Sequence, residues 1–300
     1  MKEGNAALFE FEAELPDERL TRLAARLVSF TARFDRLRQD LRLLVDRDGL
    51  EKWCKQHYGR RLPLLDSVLD RYPLAVFHGD VGTGKTATAE VAANMLTREL
   101  KKEARLFKLS TRVRGAGNVG EMSMLINQAF DVVVKEAGRA RLAYLIIDEA
   151  DSLATRRSVQ QSHHEDKVAV NTLIQKIDDI RQHNGRVMVF LCTNRFIALD
   201  PAIIRRAAFV EEFNRPNDTE RHELLAMDCE GLGFSSAEID ELVRLTGPSG
   251  RHKLRYTFSD LRTRVIPEAL ARAFPERKIA LADFRAAVDR VAPSPAIEEP

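Results

Sequence analysis

The sequence predicts an α/β fold, with a parallel sheet flanked by helices, followed by a smaller helical domain. Three observations support this prediction. Between residues 71 and 215, strand patterns alternate with helical patterns, which is the order that a parallel sheet requires. A glycine-rich turn over residues 79–86 joins the first of these strands directly to a helical stretch. After a break signal at residues 214–218 no strand pattern returns, and the apolar residues follow helical spacing.

The elements follow in order along the chain. Apolar residues recur in steps of three and four from Asp17 to about Tyr58, which predicts amphipathic helix. The predicted strands are Tyr72–His78, Arg105–Ser110, Leu142–Asp148, Val187–Thr193 and Phe209–Phe213. The predicted C-terminal helices are Glu220–Cys229, Ser236–Thr246, Phe258–Phe274 and Leu281–Val291, with caps at residue 218 and within residues 236–238. We therefore expect a helical segment over residues 1–70, an α/β domain over 71–215, a helical domain over 216–292 and a disordered tail over 293–300.

Composition and charge fit a globular protein of the cytoplasm. The 300 residues are 44% hydrophobic and 31% charged, and 47 lysines and arginines against 45 acids leave a net charge of +2. This balance predicts no broad surface for nucleic acid. The cysteines, Cys54, Cys192 and Cys229, are odd in number and are predicted to be reduced thiols. No apolar run approaches the length of a membrane span, and the acidic start of the sequence does not resemble a signal peptide.

Residues 79–86 form an uninterrupted G-x-x-x-x-G-K-[ST] run. An apolar strand precedes it and a helix-forming stretch follows it, which is the context that this phosphate-binding loop needs. The glycines let the backbone form a cradle whose N–H groups point at phosphate oxygens, and the following helix adds its positive end. Lys85 is expected on the β- and γ-phosphates, and the Thr86 hydroxyl on Mg²⁺. The residues expected to bind the nucleoside triphosphate are Gly79, Gly82, Thr83, Gly84, Lys85 and Thr86.

Two later strands end on polar residues that complete such a site. The apolar strand over residues 144–147 ends on Asp148 and Glu149, at the end of a parallel strand where ligands bind. We expect Asp148 to hold Mg²⁺ through water and Glu149 to polarise the water that attacks the γ-phosphate. The strand over residues 189–192 is followed by Thr193 and Asn194, and the Asn194 amide can both donate and accept near that phosphate. Solvated strand-end residues are the alternative.

Two adjacent arginines, Arg205 and Arg206, end a short predicted helix that begins near Leu199. If this helix runs away from the active edge of the sheet, neither arginine reaches the phosphate of its own chain. Such an arginine acts best across a subunit boundary, where its guanidinium stabilises charge on a neighbour's transferring phosphate. The sequence does not decide which of the two acts, and solvated surface arginines are the alternative.

These motifs together resemble those of AAA+ ATPases over roughly residues 70–295, and the ends of the final helix, Ala282–Phe284 and Val291–Ser294, extend the likeness. Residues 166–183, with the pattern V-N-x-L-x-Q-x-I-D-x-I, resemble the pachytene-checkpoint, thyroid-receptor-interactor family. The resemblance implies an ATP-driven homohexameric ring that draws the N-terminal peptide of a HORMA-domain protein into a central pore and opens the closed partner. Bacterial members accompany a HORMA protein and a nucleotidyltransferase in cyclic-oligonucleotide anti-phage signalling. The implied function is ATP-driven remodelling of a HORMA complex, as a negative regulator of that signalling.

The resemblance also implies further site residues. The lid motif Ser249–Arg251 makes Arg251 a nucleotide contact, although the spacing to the final helices fits Arg262 better. Residues 156–165 occupy the place of a second pore loop. Two departures from the family pattern are Asp80-Val81 in the phosphate loop, in place of Pro-Pro, and the absence of an aromatic residue from the first pore loop. The residues implied for that first pore loop are Val113, Arg114, Gly115, Ala116, Gly117 and Asn118.

Alternatives remain for both sites and function. A metal cluster at residues 163–166 is less favoured than a helix cap and a solvated loop. The arginine-rich segment 19–47 can bind DNA or form ion pairs with its own acids, and the second is favoured because the charges alternate. Two further functions are a nucleic-acid-linked AAA+ motor or loader and a nucleotide-gated scaffold that hydrolyses little. The three functions differ in what stimulates turnover: a folded protein with a loose N-terminus, DNA, or neither.

Overall fold

The computed structural model describes residues 8–110, 120–153, 164–248 and 252–297, and within them six strands form one sheet. The order across the sheet is β1-β3-β4-β5-β2-β6, in which β3, β4, β5 and β2 pair in parallel and β1 pairs antiparallel with β3. Every residue of β4 and β5 is buried, which explains why these strands appear in the sequence as continuous apolar runs. The predicted parallel sheet is confirmed. The strands are β1 (Phe9–Leu15), β2 (Leu74–Gly79), β3 (Ala104–Leu109), β4 (Leu142–Ile147), β5 (Val187–Thr193) and β6 (Phe209–Phe213).

The helices agree with the sequence patterns in the C-terminal part. There, α9 and α10 begin with capping boxes formed by Asn217 with Glu220 and by Ser235 with Glu238, one residue earlier than predicted. A π-helical turn, Asp260–Val265, leads into α11. The helices are α1 (Glu18–Ala24), α2 (Phe30–Val45), α3 (Arg47–Tyr58), α4 (Leu64–Leu69), α5 (Lys85–Leu100), α6 (Glu121–Ala137), α7 (His164–Ile180), α8 (Pro201–Ile204), α9 (Asp218–Asp228), α10 (Ser236–Leu245), α11 (Ile266–Ala273) and α12 (Leu281–Arg290).

The N-terminal segment differs from the purely helical one predicted over residues 1–70. Residues 9–15 form β1 and join the sheet, so the prediction is wrong for that stretch. The helix predicted from Asp17 to Tyr58 is three helices. Ser29, just before α2, has a left-handed backbone with φ 56°, and Asp46 caps α3 by accepting from the Gly49 N–H at 3.2 Å. Local caps and turns therefore override a continuous apolar stripe.

Contacts among the described residues divide the chain into two units. The N-terminal unit contains the residues up to 26, residues 30–78 and residues 86–212, and its core lies between the sheet and helices such as α6 and α7. The C-terminal unit contains residues 27–29, 79–85 and those from 213 on, and its core includes Leu224, Leu242, Tyr256 and Phe284. The phosphate loop thus groups with the C-terminal helices, whereas the sequence analysis placed it within residues 71–215.

All three cysteines are buried and none forms a disulfide, which agrees with the predicted thiols. Burial raises the pKa of the Cys229 thiol to about 11. None of the helices in the described ranges combines the length and the hydropathy needed to cross a bilayer.

Candidate functional site

At two positions of the phosphate loop, glycine has a positive φ angle and no room for a side chain. Gly79 has φ 130°, and a Cβ atom there would lie 2.2 Å from the Phe213 carbonyl oxygen. Gly82 has φ 71°, and a Cβ atom there would lie 2.7 Å from both the Ser259 Cβ and the Thr257 Oγ1. The loop therefore packs tightly against the strand end and the helical turn of its own unit, and glycine is required for space as well as for conformation.

The Lys85 side chain folds back over this loop. Its Nζ donates to the Gly79 carbonyl oxygen at 3.1 Å and to the Asp80 carbonyl oxygen at 2.7 Å, and the side chain is buried. The Thr83 hydroxyl donates to the same Asp80 oxygen at 2.7 Å. Gly84 directly precedes Lys85, the first residue of α5, so the loop opens onto a helix N-terminus whose first N–H groups have no partner within the helix. This arrangement is suited to an anion such as phosphate.

In the N-terminal unit, the two predicted metal ligands meet. Thr86 Oγ1 donates to Asp148 Oδ2 at 2.7 Å, although 62 residues separate them. Both are hard oxygen donors of the kind that Mg²⁺ prefers, so the residues present fit the metal. Asp148 follows the last residue of the buried strand β4, which fixes its position at the carboxyl end of the sheet.

Glu149, the predicted base, is exposed and has a left-handed backbone with φ 47° and ψ 44°. A residue other than glycine adopts this conformation at a cost of about 1–2 kcal/mol. Its N–H donates to Asp148 Oδ1 at 2.9 Å, so the two carboxylates of the pair have different surroundings. The Glu149 side chain lies at the surface, whereas Asp148 is half-buried.

Asn194 lies at the same edge, because β2, β4 and β5 run parallel and end together. Its neighbour Thr193 is held firmly: the Thr193 hydroxyl donates to Asp151 Oδ1 at 2.7 Å and accepts from the Arg195 N–H at 3.0 Å. The Asn194 side chain is half-buried, and among the described residues its amide has no hydrogen-bond partner. An amide in that state can bind a ligand without first breaking an internal bond.

The structure distinguishes Arg205 from Arg206. The Arg206 guanidinium forms a bidentate pair with Asp178, at 2.6 and 2.9 Å, donates to the Ala202 carbonyl oxygen at 2.9 Å, and lies 5.4 Å from the Tyr72 ring centroid. The hydrogen bond to Asp178 raises the pKa of Arg206. The Arg205 side chain is exposed, and no described residue forms a hydrogen bond or an ion pair with it. Arg206 is therefore held by partners within its own chain, whereas Arg205 has no such partner among the described residues.

Sequence reasoning missed Lys108, which lies beside the predicted metal ligands. Its Nζ is 2.8 Å from Glu10 Oε1 and 3.4 Å from Asp148 Oδ2. Burial opposes the positive charge, but the hydrogen bond to Glu10 and the charge of Asp148 outweigh it and raise the pKa of Lys108. Burial raises the pKa of the nearby Glu90 carboxyl. A lone lysine in the apolar strand β3 was the available signal.

A second residue missed is Arg215, in the C-terminal unit. It forms an ion pair with Asp80, the loop residue that departs from the family pattern, and both side chains are largely buried, at 9% and 17% exposure. Arg215 also donates to the Arg255 carbonyl oxygen at 2.7 Å and to the Ser294 carbonyl oxygen at 2.8 Å. The Ser259 N–H donates to the Gly82 carbonyl oxygen at 3.1 Å. The loop is thereby fastened to two separate parts of the C-terminal chain.

Other predicted residues have different outcomes. The first pore loop, with Val113 to Asn118, lies outside the described residues, as do Arg251 and most of the second pore loop. Arg262, the alternative lid arginine, pairs with Asp228 at 2.6 and 3.1 Å. The described ranges contain no group of three or more His, Cys, Asp or Glu side chains arranged to hold a metal ion.

Several arginines of α2 are paired with carboxylates, in part with acids of their own segment, as the favoured alternative for residues 19–47 predicted, and in part with Glu211, which lies outside it. Arg33 and Arg36 both bind Glu211, at 2.8 and 3.1 Å, and Arg42 lies 3.5 Å from Asp46. Because these guanidinium groups already have carboxylate partners, α2 offers little free charge to a DNA backbone.

Comparisons with known proteins agree with this geometry. Residues 75–216 match the ATPase family associated with various cellular activities (AAA). The chain is 49% identical to CD-NTase-associated protein 6 of Escherichia coli (strain KTE188) over 97% of both chains. Its structure is similar to a chain of the E. coli MS115-1 HORMA:CdnC:Trip13 complex, with TM-score 0.89, 40% identity and 98% of each chain covered. It is also similar to Rhizobiales Trip13, with TM-score 0.72, 33% identity, 96% of this chain covered and 100% of the other.

Proposed function

Because the chain belongs to the family of CD-NTase-associated protein 6, we propose that it uses ATP hydrolysis to open a HORMA-domain protein in anti-phage signalling. The observation that carries this proposal is the likeness over 98% of the chain to a protein solved together with HORMA and CdnC. A likeness of that extent covers the ATPase region and the helices that follow it. The activity would make the protein a negative regulator that acts in the cytoplasm.

The nucleotide site is proposed to use the residues of the phosphate loop and of the neighbouring strand ends. The loop N–H groups and Lys85 would bind the phosphates, and Lys85 would exchange its contacts with loop carbonyl oxygens for stronger, charge-assisted ones. Thr86 and Asp148 would hold Mg²⁺, which when bound neutralises phosphate charge. Thr86 directly follows Lys85 in the chain, so phosphate and metal ligands come from one continuous segment.

Hydrolysis itself is proposed to depend on Glu149, Asn194 and Arg205. Glu149 would accept a proton from the attacking water, and the Asn194 amide would orient that water or the γ-phosphate. Arg205 would reach the phosphate of a neighbouring subunit, which requires a ring of about six copies. Residues 71–215 would then form the ATPase domain, residues 216–292 the lid, and residues 293–300 a tail.

The proposal is tested with a HORMA protein whose closing peptide carries a fluorescent label. We expect ATP and the chain to release the peptide, measured as a fall in fluorescence anisotropy. Lys85→Ala should lose nucleotide affinity by roughly 10- to 100-fold, since a charge-assisted contact contributes about 1.5–3 kcal/mol, and should release nothing. Peptide release in the absence of ATP would contradict the proposal.

The loop residues implied by the resemblance supply a second arm of the test. Replacing Val113 and Arg114 by alanine should leave basal ATPase activity within a few-fold but abolish release, because these residues would contact substrate rather than phosphate. Release at the wild-type rate would show that this loop is not the grip. If the HORMA protein left the ATPase rate unchanged and DNA raised it, the alternative of a nucleic-acid-linked motor or loader would be favoured.

A further inference from the structure

A cavity of about 400 Å³ lies at the opposite edge of the sheet from the strand ends just described, where β4 and β5 begin. Its walls come from α3, from the ends of α2 and α4, from Lys102 just after α5, and from the segments at the start of β4 and before β5. Nothing in the proposed ATPase mechanism uses it. Its size falls within the range of small-molecule sites.

Positive charge predominates in the lining of this cavity. Four cations, Arg47, Lys102, Arg139 and Arg186, face two carboxylates, Asp48 and Glu51. Lys102 is 3.9 Å from Asp48 Oδ2. Throughout the described ranges, no carboxylate lies within 4.0 Å of any of the three arginines.

The neighbouring residue Arg141 shows the contrast, because it lies 3.0 Å from Glu103 and is not among the residues that line the cavity. Most arginines of the chain that the structure describes have such a partner. A cluster of unpaired guanidinium groups around one cavity is therefore a specific feature of this place.

Two of the arginines are held in position by neutral groups. Arg47 donates to Asn184 Oδ1 at 3.2 Å and to the Leu69 carbonyl oxygen at 2.6 Å, and Arg186 donates through Nε to the Gly138 carbonyl oxygen at 3.1 Å. These bonds fix the guanidinium groups without neutralising them. Burial lowers the pKa of Arg47; the charges of Asp70 and Glu51 oppose this shift, and the smaller effects of Arg181 and Arg186 add to it. A bound anion would offset the cost of burying this charge.

We propose that this cavity binds a compact anion that carries phosphate groups, with Arg47, Arg139 and Arg186 as its principal contacts. Planar guanidinium groups from three separate segments can contact several oxygens of one phosphate group in bidentate fashion. The two carboxylates at the rim disfavour an extended acidic peptide, which would have to pass them. This proposal does not depend on the proposed function, because it involves no residue of the ATPase site.

The test is isothermal titration calorimetry of the full chain with sodium pyrophosphate, in a Lys85→Ala background that weakens binding at the phosphate loop. Wild-type cavity residues should give one binding event, and Arg139→Ala should weaken it roughly tenfold, as expected for the loss of one charge-assisted contact. Arg141→Ala is the matched control, since it removes the same charge two residues away, and should leave the affinity within about twofold.

Arg139 is exposed and, among the described residues, makes no hydrogen bond, so its replacement should not disturb folding. Arg186→Lys keeps the positive charge but loses the planar guanidinium group, so its affinity for pyrophosphate should lie between those of Arg139→Ala and Arg141→Ala. A second titration with ADP shows whether the cavity binds a nucleotide more tightly than free pyrophosphate. In either case, a loss of affinity in Arg139→Ala supports a phosphate site. Absence of binding, or equal affinity in the Arg139→Ala and Arg141→Ala variants, would overturn the proposal.

Discussion

Replacing Arg205 and Arg206 separately by alanine is expected to have opposite effects. Arg205→Ala should abolish ATP hydrolysis and leave the free energy of unfolding nearly unchanged, because the side chain is exposed and no described residue forms a hydrogen bond or an ion pair with it. Arg206→Ala should lower the free energy of unfolding and affect hydrolysis less, because its guanidinium binds Asp178 and lies over Tyr72.

The magnitudes can be worked from the structure. The Arg206–Asp178 side chains are 23% and 38% exposed, so solvent screening limits the pair to about 0.5–1 kcal/mol. The cation–π contact with Tyr72 adds about 0.5–1 kcal/mol, for a loss of about 1–2 kcal/mol in Arg206→Ala. Arg205→Ala should change stability by less than about 0.5 kcal/mol. Loss of a trans-acting arginine should lower kcat at least about 1000-fold, or roughly 4 kcal/mol of barrier.

The assay combines urea unfolding of each variant with steady-state ATPase activity of mixtures. Glu149→Gln subunits retain the arginine, and Arg205→Ala subunits retain the base, so neither variant alone should hydrolyse ATP. In random 1:1 rings about one interface in four pairs an intact site with an intact arginine, and about a quarter of wild-type activity should return. Arg205→Lys is the control, because it keeps the positive charge but loses the planar guanidinium group. Failure of mixing to restore activity, or an inactive but fully stable Arg206→Ala, would refute this assignment.

Three further predictions concern the site and the C-terminal helices. Glu149→Gln should bind ATP as tightly as wild type in equilibrium dialysis while losing hydrolysis, because the phosphate and metal ligands remain; a parallel loss of affinity would contradict the division of roles. Replacing Asp80 and Arg215 by alanine, alone and together, should give a coupling of about 1–3 kcal/mol in the free energy of unfolding, measured with urea. Additive effects would show that this largely buried ion pair does not contribute to stability. The Arg277 hydrogen bond lowers the pKa of Asp283 from 3.8 to about 2, so its stabilisation is complete above pH 3.8 and is lost as pH falls to about 2. Asp283→Asn should flatten the decline of the melting temperature between those pH values, and a decline as steep as in wild type would contradict this.

The central strands could be predicted because burial on both faces gives a parallel strand a continuous apolar sequence. The edge strand β1 was missed although its sequence, Phe-Glu-Phe-Glu-Ala-Glu-Leu, alternates between apolar and acidic residues. That alternation is typical of a strand with one face on the core, and the acids obscured it because an acidic start resembles a solvated terminus. The signal was present and was not used.

Contacts between distant segments could not be predicted from one sequence. The ion pair of Asp80 and Arg215 joins residues 135 positions apart, and neither local pattern indicates the other. The same holds for Lys108, whose partners lie on two other strands or strand ends. Motif spacing predicted that Thr86 and Asp148 would meet, because each motif carries a known position relative to the sheet. It could not tell Arg205 from Arg206, since only the place of Asp178 gives Arg206 a carboxylate partner within the chain.

The left-handed backbone at Glu149 bears on how this chain trades stability for activity. Glycine or asparagine would adopt φ 47° more cheaply, so a sequence optimised for stability alone would carry one of them at this position. Variants that raise the melting temperature are therefore expected to accumulate at residue 149 whenever selection for turnover is relaxed. A stabilised and inactive ring would be their product, and thermostability screens of this protein need a hydrolysis readout beside them.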